Sequence, residues 1–269
     1  MTTRFFDVID WTRPWLAPLL PAAQPIVQAA DWRSALNSAA AAAALHNHRG
    51  LPIRFVPQSD LPADTAYEAF ISATGCVPTR ENLHDFLNAL AWLTYPKIKT
   101  QLNALQAAEI ARPGAAPIGI QRQGAVRGKL RDAATIFDEN SALLVARSAE
   151  IVDALRQHRW HDVFVAQRAV FGRDWEVWLF GHALMEKLVA PYKAITAHAW
   201  PLVVDESVLR LPDHARRLHL DATVGRQLAG GLQTSDFTPL PVLGVPGWWS
   251  DQDAAFYGDA AVFRRKKSP

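Results

Sequence analysis

Apolar residues recur at helical spacing through the segment ENLHDFLNALAWLTYP, residues 81–96. At about 100° of rotation per residue, one sector collects five apolar side chains. These are Leu83, Phe86, Leu87, Leu90 and Leu93. The spacing predicts a helix over residues 82–95 with an apolar stripe facing a core.

The second face of this predicted helix carries hydrogen-bonding groups where a solvated face would carry long charged side chains. The residues on and beside it are His84, Asp85, Asn88, Trp92 and Tyr95. A structural interpretation is that Asn82 caps the helix and Asp85 complements the first-turn amides, which leaves Asn88 unexplained. The other interpretation is a cleft that His84, Asn88 and Tyr95 face, where water or a ligand satisfies them.

Other segments give shorter patterns. Helices are predicted for residues 31–48, capped by Asp31, from Pro62 to near Gly75, and for 149–158, capped by Ser148. Strands are predicted for residues 51–57 and 194–205. Residues 129–146 alternate around a polar turn and predict a β-hairpin.

Two longer segments complete the prediction. Residues 174–190 are apolar nearly all round and predict a buried central helix. From residue 231 onward, Gly and Pro are frequent and predict a long coil over the surface. The predicted fold class is therefore α+β, a mostly helical single domain over residues 1–269 with a β-hairpin or small sheet and long coil segments. Residues 1–70 are expected to wrap a core of residues 75–250.

The predicted central helix carries a candidate pair, His182 and Glu186, which share a face because they are four residues apart. A carboxylate enclosed by aromatic residues needs a partner or takes up a proton. The pair could be purely structural. Together with His84 it could instead hold a divalent metal ion, or the groups could act as acid and base without one. Asp132, which interrupts the predicted first hairpin strand, is a further candidate catalytic carboxylate.

The distribution of charge is more informative than the formal net charge of +2, which does not argue for a nucleic-acid partner. Residues 86–131 hold seven basic residues against one acidic residue, Glu109. The basic residues are Lys97, Lys99, Arg112, Arg122, Arg127, Lys129 and Arg131. The Gly/Pro-rich segment 112–129 is either a solvated loop or a basic flap that attracts phosphate or another anion. The candidate substrate-binding residues are Lys97, Lys99, Arg131, Lys193, Tyr95 and Trp92.

The sequence argues against several classes of protein. The chain has no GxxxxGK[ST], GxGxxG, GxSxG, CxxC or HExxH motif. The single cysteine, Cys76, excludes an internal disulfide and fits a reducing compartment. No apolar run is long enough to span a membrane, and Asp7 and Asp10 interrupt the start of the chain. A cytoplasmic protein without membrane contact is expected.

Four segments, taken in order, resemble the family known as domain of unknown function 3025. They are PTRENLHDFLNALAWLTYPKIKTQLN, LRDAATIFDENSALLV, LFGHALMEKLVAPYKAITAHA and LPVLGVPGWW. The resemblance extends from about Gly75 to the C-terminus and implies a bacterial, cytosolic protein. It implies no activity, cofactor or catalytic residue.

Two hypotheses follow from the residues themselves. The first is a hydrolase of a phosphate-bearing substrate, which could be an anionic small molecule or a nucleic acid. Its catalytic groups would be among His84, Asp85, Asn88, Asp132, His182 and Glu186, with His84, His182 and Glu186 as the set that could bind a metal. The alternative is a non-catalytic protein that binds a ligand or partner through the basic loop and the segment with Trp248 and Trp249.

Overall fold

The structure, a computed structural model, describes residues 4–112 and 128–266. Its longer helices are α1 (Leu20–Gln28), α2 (Trp32–Ala42), α3 (Tyr67–Thr74), α4 (Leu83–Thr94), α5 (Pro96–Ile110), α6 (Lys129–Asn140), α7 (Ala149–Arg156), α8 (His182–Lys187), α9 (Glu206–Leu209), α10 (Asp213–Leu228) and α11 (Ala254–Tyr257). Its strands are β1 (Arg54–Val56), β2 (Cys76–Pro78), β3 (Ser141–Ala146), β4 (Trp175–Leu179), β5 (Thr196–Val203) and β6 (Thr238–Pro241). The fold class is α+β, as predicted.

The strands form two sheets. β1 and β2 pair in parallel, while the larger sheet has the order β4-β3-β5-β6. Within it, β3 runs antiparallel to β4 and parallel to β5, and β6 runs antiparallel to β5. Every residue of β3 is buried, so this strand lies at the centre of the protein.

The larger sheet separates two apolar cores, because successive side chains of a strand point to opposite faces. Ala142 and Leu144 contribute to one core, which also takes in residues near the N-terminus such as Phe6. Leu143 and Val145 contribute to the other, which is covered by α5, α6 and α10. A strand buried on both faces has no polar side to reveal it in the sequence.

The predicted helix caps are confirmed. Asp31 accepts hydrogen bonds from the first-turn amides of α2, Asn82 from that of Asp85 in α4, and Ser148 from that of Glu150 in α7. Gly75 ends α3 with a φ of 75°, which suits a residue without a side chain. The helix bounds differ from prediction at two places, since α2 already ends at Ala42 and α3 only begins at Tyr67.

The β-hairpin predicted for residues 129–146 is wrong. Residues 129–140 form α6, and only residues 141–146 form a strand. The apolar positions Leu130, Ala133, Ala134 and Phe137 follow the spacing of a helix face, and they pack against the second core. The alternating pattern predicted a turn at Asp138 and Glu139, whereas both residues lie in the last turn of a helix.

The central helix predicted for residues 174–190 is also wrong. Residues 175–179 form β4, and the helix α8 begins only at His182. A short apolar run cannot be assigned to a strand or a helix by periodicity alone. Similarly, the coil predicted beyond residue 231 contains β6, and the segment that follows it is buried through Val242, Leu243 and Val245.

In the described part of the chain, every helix is too short or too polar to cross a lipid bilayer. Most of the predicted basic loop, including Arg122 and Arg127, lies outside the described residues.

Helix α5 begins directly after α4, and a carboxylate from another helix caps it. Pro96 occupies its first position, and the buried Asp221 of α10 accepts hydrogen bonds from the amides of Lys97 (3.1 Å) and Ile98 (3.0 Å). Burial raises the pKa of Asp221 to about 6, although these amides and Arg217 lower it in part. The ionised form is therefore the disfavoured one in the folded state.

We expect the free energy of unfolding to fall with increasing pH at this residue. Between a pKa of 3.8 in the unfolded chain and about 6 in the folded protein, the folded state binds more protons. Protonated Asp221 contributes roughly 3 kcal/mol to the free energy of unfolding. This contribution is fully present below the pKa of the unfolded chain and is lost as the pH rises through about 6. Urea unfolding of the wild type and of Asp221→Asn, at pH values from 4 to 7.5, measures this. Parallel stability curves for the two proteins would contradict it.

Candidate functional site

The site forms where two junctions between elements meet. Glu139 lies at the end of α6, just before β3, and His182 is the first residue of α8, just after β4. A Cβ on Gly181 would lie 2.4 Å from the backbone nitrogen of Ser141 and 2.6 Å from the carbonyl oxygen of Glu139. The amide of Gly181 donates to the carbonyl of Ser141 at 2.8 Å. Glycine thus allows the two junctions to touch, which places His182 beside Glu139.

His84 reaches the same point from the first turn of α4. Asn82 caps this helix, and its side chain accepts from the amide of Asp85 at 2.8 Å. Helices α4 and α8 pack against each other, and the rings of His84 and His182 lie 4.5 Å apart between centroids. Three helices that are distant in sequence, α4, α6 and α8, therefore supply the side chains of one cluster, which consists of His84, Glu139 and His182.

The three side chains present ligand atoms at close and similar distances. Nε2 of His84 lies 3.1 Å from Nε2 of His182 and 3.8 Å from Oε2 of Glu139. Nε2 of His182 lies 3.4 Å from the same oxygen. A point equidistant from these atoms is about 2.0 Å from each, which is the length of a bond from zinc to imidazole nitrogen or carboxylate oxygen. These three atoms are close enough together to hold a metal ion.

An outer carboxylate orients the ring of His84, and a second carboxylate lies farther from the ring of His182. Nδ1 of His84 donates to Oε2 of Glu186 at 2.9 Å, because an ionised carboxylate only accepts hydrogen bonds. Nδ1 of His182 faces Asp138, whose Oδ1 lies 4.0 Å away. The contact of Glu186 with His84 leaves Nε2 of this ring on the side of the shared point, which is the arrangement of carboxylate and histidine found in metal sites.

The protonation states of His182 and Glu139 favour the binding of a cation at the cluster. Burial lowers the pKa of His182 to about 4, although Asp138 opposes this shift, so the ring is neutral at pH 7. A neutral imidazole keeps one nitrogen lone pair that it can donate to a cation. Burial, and then Asp138, raises the pKa of Glu139, so this carboxylate is also stabilised by an added positive charge.

A buried ion pair lies beneath the cluster. Nζ of Lys99 lies 2.5 Å from Oδ1 of Asp138 and 2.8 Å from Oδ1 of Asn88. Burial tends to raise the pKa of Asp138, but Lys99 and His182 outweigh it and the pKa is lowered. Asp138 is therefore ionised, and its position opposite His182 is fixed by Lys99.

The cluster lines a cleft of about 390 Å³. Besides the cluster, the walls include Tyr67, Glu68, Asn88, Gln106, Ile110 and Arg131. Burial raises the pKa of Glu68, which accepts a hydrogen bond from Asn103 at 2.7 Å. Asn88 donates to the hydroxyl of Tyr67 at 3.0 Å. The cleft thus has an acidic, hydrogen-bonded floor.

Five of the residues predicted from the sequence line this cleft: His84, Asp85, Asn88, Arg131 and His182. Asp85 is bound by Arg80 through two guanidinium contacts of 3.0 and 2.9 Å, so its carboxylate has a structural partner. Glu186 contacts the outer nitrogen of His84, and Lys99 is buried below the floor with Trp92 5.4 Å from its Nζ.

Four predicted residues lie elsewhere. Tyr95 is 0% exposed and packs on Phe180 in the second core, so it does not face the cleft as predicted. Lys97 borders a different cleft, beside α10. Lys193 lies near Phe256 and 3.9 Å from Asp259. Asp132 is in the first turn of α6, two turns from Glu139.

Sequence reasoning missed Glu139 and Asp138, which lie in the last turn of α6. The negative end of the helix dipole makes this an unfavourable place for carboxylates. Two adjacent acids there are therefore a signal that a cation compensates them. The signal could be read only after residues 129–140 were assigned to a helix.

Fold and site together define an α+β protein with two histidines and one carboxylate converging in a cleft. The chain belongs to the family described as Protein of unknown function (DUF3025), whose pattern matches residues 53–267 and so covers most of the chain. The comparisons found no match among curated proteins or among solved structures.

Proposed function

We propose that this protein is a metal-dependent hydrolase that acts on a phosphate-bearing substrate. The observation that carries the proposal is the spacing of the two Nε2 atoms and the Glu139 oxygen, each about 2.0 Å from one point. The side chain of His182 is only 4% exposed, and its Nε2 lies 3.1 Å from Nε2 of His84. The set differs from the one predicted from the sequence, since Glu139 takes the place of Glu186.

Three protein ligands leave a coordination position open toward the cleft, as in catalytic rather than structural zinc sites. An ion held there would polarise a bound oxygen and lower the pKa of a bound water toward 7. Glu186 holds His84 in position through a hydrogen bond to Nδ1, and Asp138 lies 4.0 Å from Nδ1 of His182. Glu68, whose pKa is raised by burial, is a carboxyl group on the cleft wall that can donate or accept a proton.

The size and charge of the cleft support a small anionic substrate over a nucleic acid. A volume of about 390 Å³ accommodates a small molecule, whereas a polymer requires an open groove. Of the four cations predicted to bind phosphate, Arg131 is the one on the cleft wall. A guanidinium suits phosphate because it can donate two parallel hydrogen bonds.

The alternative, a non-catalytic protein that docks a partner through Trp248 and Trp249, has less support. Trp248 is 6% exposed and its ring lies 5.7 Å from that of Trp15, within the first core. Trp249 also packs against this core. Trp248 therefore cannot act as an anchor for a partner without leaving the core, and Trp249 is only partly exposed.

Elemental analysis and a hydrolysis screen together test the proposal. Protein purified without a His tag is expected to contain about one divalent ion per chain. Its hydrolysis of chromogenic phosphate mono- and diesters is expected to stop on removal of the ion with a chelator and to return when Zn²⁺ or Mn²⁺ is added. No bound ion and no chelator-sensitive hydrolysis would refute the proposal, and bound iron without hydrolysis would favour oxygen chemistry instead.

A further inference from the structure

We propose that the cleft recognises an elongated substrate whose anionic group binds Arg131, which lies about 12 Å along helix α6 from Glu139 at the reacting end. This inference rests on the proposed function, because the cluster of His84, His182 and Glu139 is taken as the reacting end. It adds a second binding site at the opposite end of the same cleft. The anion that the protein recognises is then separate from the group that reacts.

Helix α6 forms one long wall of the cleft. Arg131, Thr135, Asp138 and Glu139 all line it, at positions i, i+4, i+7 and i+8, and so share one face of the helix. At a rise of 1.5 Å per residue, the eight residues from Arg131 to Glu139 span about 12 Å along the helix axis. Arg131 and the cluster therefore lie at opposite ends of this wall.

Helix α5 runs antiparallel beside α6 and gives the same direction to the cleft. Lys99 contacts Asp138 at one end, and a Cβ on Gly128 would lie 3.1 Å from Oε2 of Glu109 at the other. Each helix advances ten residues between these two contacts. Gln106 and Ile110 of α5 line the cleft toward the Arg131 end.

The charges differ between the two ends. At the cluster end, Lys99 is paired with Asp138, and Arg80 is paired with Asp85 at 2.9 Å. Arg131 has no ion-pair partner within residues 4–112 and 128–266 and is half-buried. It is therefore the cation on this wall with hydrogen-bonding capacity left for a ligand, and its guanidinium matches carboxylate or phosphate.

The walls of the cleft are partly apolar. Leu61, Ala66 and Ile110 line the cleft without offering side-chain hydrogen bonds. Such a surface suits a spacer of methylene or ring carbons in the ligand. The expected substrate class is a small molecule with a terminal phosphate or carboxylate, an apolar middle and a hydrolysable group at the far end.

The test uses ligands that bridge both ends and does not depend on turnover. Zn²⁺-loaded protein is titrated by calorimetry with straight-chain α,ω-dicarboxylates of increasing length, with monocarboxylates of the same length as controls. One carboxylate is expected to coordinate the ion while the other pairs with Arg131. Affinity should peak at the length that spans about 12 Å and exceed that of the matched monocarboxylate about 10-fold or more. Matched ω-phosphonocarboxylates then show whether phosphate or carboxylate is preferred at Arg131.

Variants separate the second site from the metal site. Arg131→Gln is expected to abolish the advantage of the second carboxylate and leave Zn²⁺ affinity unchanged, while Arg131→Lys keeps part of it. Lys129→Gln is the matched control, because Lys129 is an exposed cation of the same helix outside the cleft. Two results would overturn this inference alone. One is a Zn²⁺-loaded protein whose affinity for dicarboxylates does not depend on their length, and the other is an Arg131→Gln variant that still binds dicarboxylates more tightly than monocarboxylates to the same extent as the wild type. Failure to bind Zn²⁺ would overturn the proposed function and this inference with it.

Discussion

Replacing His182 by Gln is expected to lower the affinity of the protein for Zn²⁺ by at least about 100-fold. The reason is that His182 supplies one of three ligand atoms, and each ligand contributes a share of a binding free energy of about 10 kcal/mol or more. His84→Gln and Glu139→Gln are expected to cause losses of similar size. Competition with a chromophoric zinc chelator at pH 7 measures all three.

Glu186 distinguishes the set of metal ligands proposed from the geometry from the set predicted from the sequence. Glu186 orients His84 through Nδ1, so we expect Glu186→Gln to lower the affinity for Zn²⁺ by about 10- to 100-fold. This decrease is smaller than the one expected for Glu139→Gln. Equal losses for Glu139→Gln and Glu186→Gln would instead make Glu186 a ligand. His219→Gln, at an exposed position of α10, controls for nonspecific binding by histidine and should leave the affinity unchanged.

The helix at residues 83–94 and its cap could be predicted because their signals are local. An Asn before an apolar stripe at helical spacing leaves few alternatives, and the stripe itself fixes which face is buried. The same pattern showed that His84 and Asn88 lie off this stripe. By contrast, Tyr95 is at the end of the helix, where the chain turns into α5, and the helical projection no longer describes its direction.

The convergence of the site could not be predicted because it depends on contacts between distant segments. His84 and His182 are 98 residues apart and meet only because β4 pairs with β3 and Gly181 lets α8 approach the end of α6. Periodicity contains no information on such pairing. The misassignment of residues 129–146 and 174–190 also hid Glu139, whose place in the cluster depends on its being at the end of a helix.

The buried pair of Lys99 and Asp138 is expected to give the largest change in stability. Lys99→Met alone leaves a carboxylate uncompensated in the interior, which should reduce the free energy of unfolding by about 3–5 kcal/mol. Asp138→Asn alone leaves the ammonium without its 2.5 Å partner and should cost a similar amount. The double variant should recover much of the loss, because neither residual group is charged. Urea unfolding of the metal-free protein, with chelator present, measures the four members of the cycle.

The exposed pair of Arg159 and Asp162, 2.7 Å apart, is the matched control, and its coupling should not exceed about 0.5 kcal/mol. A coupling for Lys99 and Asp138 no larger than this would contradict the role of burial. Zinc affinity of the double variant then separates stability from function. If Lys99 serves to fix Asp138 opposite His182, the variant regains its stability but still binds Zn²⁺ about 10- to 100-fold more weakly than the wild type. Recovery of both properties would show that the pair contributes to the fold and not to the geometry of the cluster.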